Sequence, residues 1–541
     1  MKHTICKAFA GVLLLGTVSC TANYLDINAN PYQPGDLATD DYALGSALNS
    51  LASGVISSDV NTAQFTELLM GGPLAGYFAP ANNGWERTVA NYNPSDDWTN
   101  VLLKSAHVIP VIYTNLGIVK TVSEQTDTPV PMAIATIIKV TAMHRITDTY
   151  GPIPYSQIGA DGSINTPYDS VKDIYACFFE ELNEAIGILN ENSEYKLVAS
   201  ADYVYGGDIK KWIKFANSLK LRLAIRLANT DFATADGKTP RQLAEEAASD
   251  PGGLITVNEE NAAWHYFGSV QNPMYVAANY NRVDKHPDGT ACVTTGDTHA
   301  AADIICYMNG YQDPRREKYF TKSEWPGHDY IGLRHGIVIP EHASVGHKYS
   351  GPNFKADDAV QWMNAAEVAF LRAEGVAVYG YDMGGSAKDF YEEGVRLSFE
   401  QWGVQGAETY LAQEEALPEA YDDPAGSNDY NAQLSTCSVK WIDGSKDEMQ
   451  ERILIQKWIA NYPLCNEAWA DYRRTGYPHL IPATSAGNMS GGEVDSNRGA
   501  RRMRYPLDEY VSNNANVSYA VTNLLGGSDL MSTDLYWARK N

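Results

Sequence analysis

Apolar positions recur at helical spacing through most of the chain. After Ser170, Ile174, Phe178, Leu182, Ala185 and Leu189 follow one another at intervals of four or three, which places them on one helix face. Ser170 with Asp173 three places on reads as the start of that helix. Between Lys211 and Leu227, Trp212, Phe215, Leu219 and Leu223 make a second apolar stripe, with Lys214, Arg222 and Arg226 off it. Such a run of bases in an acidic protein looks like a partner site, but the plainer reading, a solvated helix pairing with acidic neighbours, is preferred. The same periodicity predicts helices over Asp40–Ser53, Asp97–Thr121, Pro131–Thr147, Pro240–Ala248, Met363–Val378, Ala387–Trp402 and Met449–Tyr462. Pro463 ends the last, and a short helix is expected from Cys465 to Arg473. The chain is therefore expected to be mainly α. Gly71–Asp96 and Ala262–Lys355 lack periodicity and are rich in Gly, Pro, Asn, Asp and aromatics. They read as long loops, where function tends to sit.

The N-terminus reads as an export signal. Lys2 and Lys7 precede the apolar run Ala8–Val18, too short to span a bilayer as a helix, which takes about 20 residues. Ser19 stands directly before Cys20, and the segment resembles a bacterial lipobox, in which the cysteine is acylated and becomes the new N-terminus. Residues 1–19 are accordingly read as a lipoprotein signal peptide and 20–541 as the mature chain. The remaining cysteines, Cys177, Cys292, Cys306, Cys437 and Cys465, show no CxxC and no His at ligand spacing, which argues against zinc. Cys292 and Cys306 could pair, although no bridge is assigned.

Composition narrows the classes. The 541 residues carry 66 acids against 41 bases, a net charge of -25, which argues against nucleic acid as the main partner because phosphate binding needs a basic face. With 34 Tyr and 11 Trp against 13 Phe, the chain has amphipathic rings to spare, suited to stacking on sugars or peptides. No GxxxxGK[ST], GxGxxG after a strand, HExxH or GxSxG occurs, so the common phosphate, dinucleotide, zinc-protease and serine-hydrolase sites have no local signature. A helical glycoside hydrolase stays open, since it needs only two suitably placed carboxylates. His335, His342 and His347 read as solvated loop histidines rather than a metal site. The acidic run Asp422–Asp429 could wrap a structural calcium, but Pro424 and the missing closing Glu favour a solvated turn. No cofactor is expected.

Several segments, in order, resemble one family. Asp26-Ile-Asn-Ala-Asn-Pro31 is similar to the DxNxNP opening of the SusD/RagB-like outer-membrane lipoproteins of Bacteroidetes. TDTYGPIPYS from Thr147, YDSVKDIY from Tyr168, YGGDIKKWIKFANSLKLRLAIRL from Tyr205 and DPRREKYF from Asp313 resemble the same family. So do NAAEVAFLRAEG from Asn364, ILIQKWIANYPLCNEAWADYRRTGYP from Ile453, and RYPLDEY and GGSDLMSTDLYW near the end. The branch most resembled is that of the SusD-like, starch-binding-associated proteins. The resemblance implies one mainly α domain over 20–541, a tetratricopeptide-like helical-pair scaffold with long ligand-binding loop insertions, although no period of about 34 residues is visible. It also implies a lipid-anchored, surface-exposed, non-catalytic protein in the outer membrane. Such a protein captures oligosaccharide, or alternatively peptide, and delivers it to a SusC-type TonB-dependent barrel transporter. In starch-binding members an early loop contributes to the site, so the loop from Gly76 to Trp98 supplies the first candidates. These are Trp85, Arg87 and Asn91, with Tyr77 beside them, and Trp264, Tyr266 and Trp325 from the second loop would form the opposite wall. Glu367, Arg372, Glu374, Trp458, Trp469, Arg473 and Arg474 are expected to hold the scaffold by burial and ion pairing.

Overall fold

The computed structural model describes residues 39–85, 87–159, 165–266, 270–279, 289, 296–339 and 348–539. Cys20, the motif at 26–31, Cys292, His342 and His347 lie outside the described residues. Eleven helices carry the argument: α1 Thr39–Ala52, α2 Ile109–Thr126, α3 Val130–Tyr150, α4 Val171–Glu191, α5 Ile209–Arg226, α6 Pro240–Ser249, α7 Ala302–Gly310, α8 Ala365–Glu374, α9 Ala387–Gln401, α10 Lys446–Ala460 and α11 Cys465–Thr475. Helices pack mostly against their chain neighbours: α1 on α2, α2 on α3, α3 on α4, α4 on α5, α5 on α6, and α8 on both α9 and α10. This is a tetratricopeptide-like stack of helix pairs. Two small antiparallel sheets sit beside it, β1 (Phe78–Pro80) with β3 (Thr298–Ala300), and β2 (Ala262–Trp264) with β4 (Val360–Met363).

Local chemistry fixes the boundaries. The Ser170 hydroxyl accepts from the Asp173 N–H at 3.1 Å and so caps α4. Reciprocal capping boxes open α6 at Thr239 with Gln242 and α10 at Ser445 with Glu448. The helix expected over Asp97–Thr121 is instead a single turn, Asp96–Thr99, followed by turns and then α2. Pro110 explains the late start: lacking an N–H, it suits a first turn and not a helix interior. The helix expected over Met363–Val378 begins two residues later, because Met363 belongs to β4 and the Asn364 side chain caps α8 by accepting from the Glu367 N–H at 2.7 Å.

Two helical segments had no periodic signature. Residues 60–74 form a continuous helical run whose middle, Gln64–Gly71, has the wider π-type turn. α7, inside what reads as loop, is buried on almost every side. A helix covered all round has no polar face to give a period.

α5 corrects the reading of a solvated basic helix. Lys220, Arg222 and Arg226 are buried, and the acids they meet are buried or half-buried. Arg222 binds Glu367, and Arg226 binds Asp148 at 3.0 Å and also Glu467. α10 and α11 complete this charged interior: Lys457 meets Asp471 at 2.7 Å, and Arg474 meets Glu374 at 2.7 Å. Burial alone would push the Glu467 carboxyl up, but Arg226 and Arg222 outweigh it and hold it well below the ordinary range. The scaffold helices are thus cross-linked through charges that cannot reach water.

Candidate functional site

The early loop is pinned on both sides. β1 pairs with β3, the Ala81 N–H donates to the Asp297 carbonyl at 2.7 Å, and the Asn82 amide donates to the Asp297 carboxylate at 2.9 Å. Asn91 fastens the far end: its buried amide donates to the carbonyls of Ile337 at 2.9 Å and Gly487 at 2.7 Å, and its side-chain oxygen accepts from the Thr88 hydroxyl at 2.6 Å. Gly487 is required for that approach, since a Cβ there would stand 1.9 Å from the Gly336 carbonyl oxygen. The loop is consequently a fixed platform.

On this platform Trp85 is half-buried and meets Trp98 edge to face, with centroids 5.3 Å apart at 89°. Trp98 is buried and meets Phe65 in the same manner at 4.9 Å. The buried Trp98 is therefore held between two half-buried rings, Phe65 and Trp85, in edge-to-face contact with each. Arg87 is exposed, its guanidinium donating to the Pro94 carbonyl at 3.0 Å and reaching Asn93 at 3.4 Å. Flat ring and planar fork stand two residues apart on the same loop.

The other candidates separate. Tyr77 is fully buried, stacked on Trp458 at 5.4 Å and 20°, with its hydroxyl donating to the Trp458 carbonyl. It is a core residue, which corrects its placement beside the site. Asn91 is likewise a loop fastener, because its polar atoms are spent on two backbone carbonyls and the Thr88 hydroxyl. Trp264 and Tyr266 contact each other at 4.6 Å beside the β2–β4 sheet. Trp325 packs on Tyr349 at 5.7 Å, with the Lys348 ammonium 4.8 Å from its ring centre. Among the described residues no ring contact joins either group to Trp85.

His335 is not a solvated loop histidine: it is 5% exposed, with Nε2 3.4 Å from the Asp303 carboxylate. The Asp422–Asp429 run is a tight turn in which Asp423 accepts from the Tyr349 hydroxyl at 2.6 Å and the Ala425 and Asn428 N–H groups at 3.1 and 3.0 Å. Its lone pairs are taken by hydrogen-bond donors. Among the described residues no cluster of three or more His, Cys, Asp or Glu is placed to hold a metal, and Cys306 is a free, buried thiol.

A cavity of about 380 Å³ lies at the end of α11, bounded by Tyr430, Tyr472, His479, Arg498, Arg501 and Arg539. A neighbouring one of about 630 Å³ shares Arg539. Neither was foreseen. Their only sequence trace was the basic run Arg498-Gly-Ala-Arg-Arg-Met-Arg504.

The family model described as SusD-like, Susd and RagB outer membrane lipoprotein, matches residues 26–538. A SusD homolog from Bacteroides uniformis is similar at 58% identity and a TM-score of 0.88, over 92% of this chain and 100% of that one. A SusD homolog from Bacteroides thetaiotaomicron is 39% identical with a TM-score of 0.81, over 92% and 99% of the two chains. A chitin-binding SusD homolog from Flavobacterium johnsoniae is 30% identical with a TM-score of 0.80, over the same shares. No curated protein matches.

Proposed function

The chain belongs to the SusD-like family of outer-membrane lipoproteins, and from that premise we propose that it captures oligosaccharide at the cell surface and hands it to a SusC-type TonB-dependent transporter. The family is one of binding proteins, and nutrient binding at the outer membrane is the role it brings. Among the described residues no helix is long and apolar enough to cross a membrane, so attachment through acylated Cys20 is the anchor we propose.

The observation that carries the ligand reading is Trp85, half-buried at the surface and braced from beneath by Trp98 on a loop fastened at both ends. A braced ring loses little freedom when a sugar face stacks on it, and Arg87 stands near enough in the chain to hydrogen-bond hydroxyls. Chitin binding by the Flavobacterium relative supports a saccharide over a peptide. Binding without catalysis is part of the proposal. Titration of the mature chain with neutral oligosaccharides by calorimetry tests it: saturable binding with no product over hours is expected. Sustained hydrolysis, or affinity for peptides alone, would overturn it.

A further inference from the structure

The cavity at the end of α11 is basic in a protein of net charge -25. Arg473, which lines it, is 1% exposed and donates to the carbonyls of Trp469 at 3.2 Å, Asp148 at 2.5 Å and Arg501 at 3.1 Å. Its guanidinium also lies over the Trp469 ring at 3.6 Å. Carbonyls and the Trp469 and Trp537 rings are its partners; among the described residues no carboxylate lies within ion-pair distance of it. Burial pushes its pKa well below the ordinary arginine value, and Asp148 opposes this only in part. Arg498 and Arg501 share a single acid, Asp534, at 2.9 and 2.6 Å. Arg539 is exposed and donates to the Thr475 carbonyl at 2.7 Å. It reaches there because Gly476 turns at φ +87° and carries no Cβ, which would lie 2.9 Å from the Arg539 Nη1. At the cavity, Asp534 thus pairs with Arg498 and Arg501, and among the described residues Arg539 makes no ion pair, so these three guanidiniums stand against one carboxylate.

Such a cluster is built for an oxyanion. Guanidinium forks match carboxylate and sulfate groups in pairs of parallel hydrogen bonds. The volume lies in the lower part of the range that holds small ligands, and Tyr430 and Tyr472 add ring surface on the wall. At physiological salt, charges beyond about 8 Å are largely screened, so the local excess prevails over the negative whole. We propose that this cavity is a second saccharide subsite, selective for an acidic sugar whose carboxylate or sulfate sits among Arg498, Arg501 and Arg539. It is separate from the Trp85 platform and goes beyond the capture role argued above.

Calorimetry of the mature chain with trigalacturonic acid, its methyl ester, a sulfated disaccharide and inorganic sulfate tests it. The ester keeps the rings and removes the charge. At least one acidic sugar is expected to bind about tenfold tighter than the ester, a difference of about 1.4 kcal/mol. That preference should shrink as salt rises and vanish in the double variant R498Q/R539Q, with an unchanged melting temperature showing that the variant folds. Preference for the uronate or for the sulfated sugar identifies the oxyanion, and either supports the proposal. Equal affinity for acid and ester, binding of neither acidic sugar, retention of the preference in the double variant, or equal affinity for inorganic sulfate would overturn it. Neutral oligosaccharide binding at Trp85 is read in its own titration, so the two proposals fail separately.

Discussion

Arg222 and Glu367 join α5 to α8 through two parallel hydrogen bonds, Nε to Oε1 and Nη2 to Oε2, both 2.7 Å long. Their side chains are 3% and 0% exposed. Arg222 also donates to the Trp362 carbonyl at 2.8 Å, tying the same fork to β4. A doubly hydrogen-bonded pair in so dry a setting fixes the spacing and rotation of two helices. Removing one partner leaves the other as a buried charge, which is why such pairs are costly to break although replacing both can be neutral.

Glu367→Gln keeps the shape of the side chain and removes its charge. Urea unfolding of this variant is expected to show a loss of about 3 kcal/mol, the magnitude for breaking a buried pair on one side. A loss below about 1 kcal/mol would mean that Arg222 finds water or another acid.

Acid should unfold the protein through the same interior. Glu467 lies well below its ordinary value of 4.5 in the folded chain, since its arginines outweigh burial. Asp471 is lowered too, Lys457 and Arg474 overcoming the effect of burial. The unfolded chain therefore takes up protons on these carboxyls first as pH falls. Their contribution is complete above the ordinary value and is lost progressively below it. Melting temperatures should hold steady from neutral pH to about 5 and fall on further acidification. Glu467→Gln should flatten that fall, and an unchanged slope would remove Glu467 from the cause.

Trp85 and Asn91 share a loop and should fail differently. Trp85→Ala should weaken oligosaccharide binding by about 1 to 3 kcal/mol at little cost in stability, by the magnitudes of aromatic hot spots. Asn91→Ala leaves the Ile337 and Gly487 carbonyls without their donor and should lower stability by about 1 to 3 kcal/mol. Calorimetric titration beside thermal melts separates the two, and a Trp85 variant with unaltered affinity would remove that ring from the site.

Cys20→Ala should release the protein from the membrane fraction of its native host. Immunoblots of fractionated cells read this directly, and a variant still sedimenting with membranes would refute the acyl anchor. Acyl chains contribute about 0.8 kcal/mol per buried methylene, and no described helix offers a substitute span.

The sequence by itself determined the helices α4, α5, α6, α9 and α10, because they carry apolar stripes, cap signals or both that act over a few residues. It also carried the ordered motifs that place the chain in its family. It did not disclose α7 or the helical run at 60–74, since segments covered on all sides show no alternation. Nor could it decide that Tyr77 and Asn91 turn inward while Trp85 stays outside, for all three sit in one aromatic loop and only contacts with Trp458, Ile337 and Gly487 separate them. The arginine cavity belongs to the same class: Arg473, the run holding Arg498 and Arg501, and Arg539 come from three stretches of the chain. Their juxtaposition exists only where tertiary packing brings them together, with Asp534 pairing Arg498 and Arg501 alone.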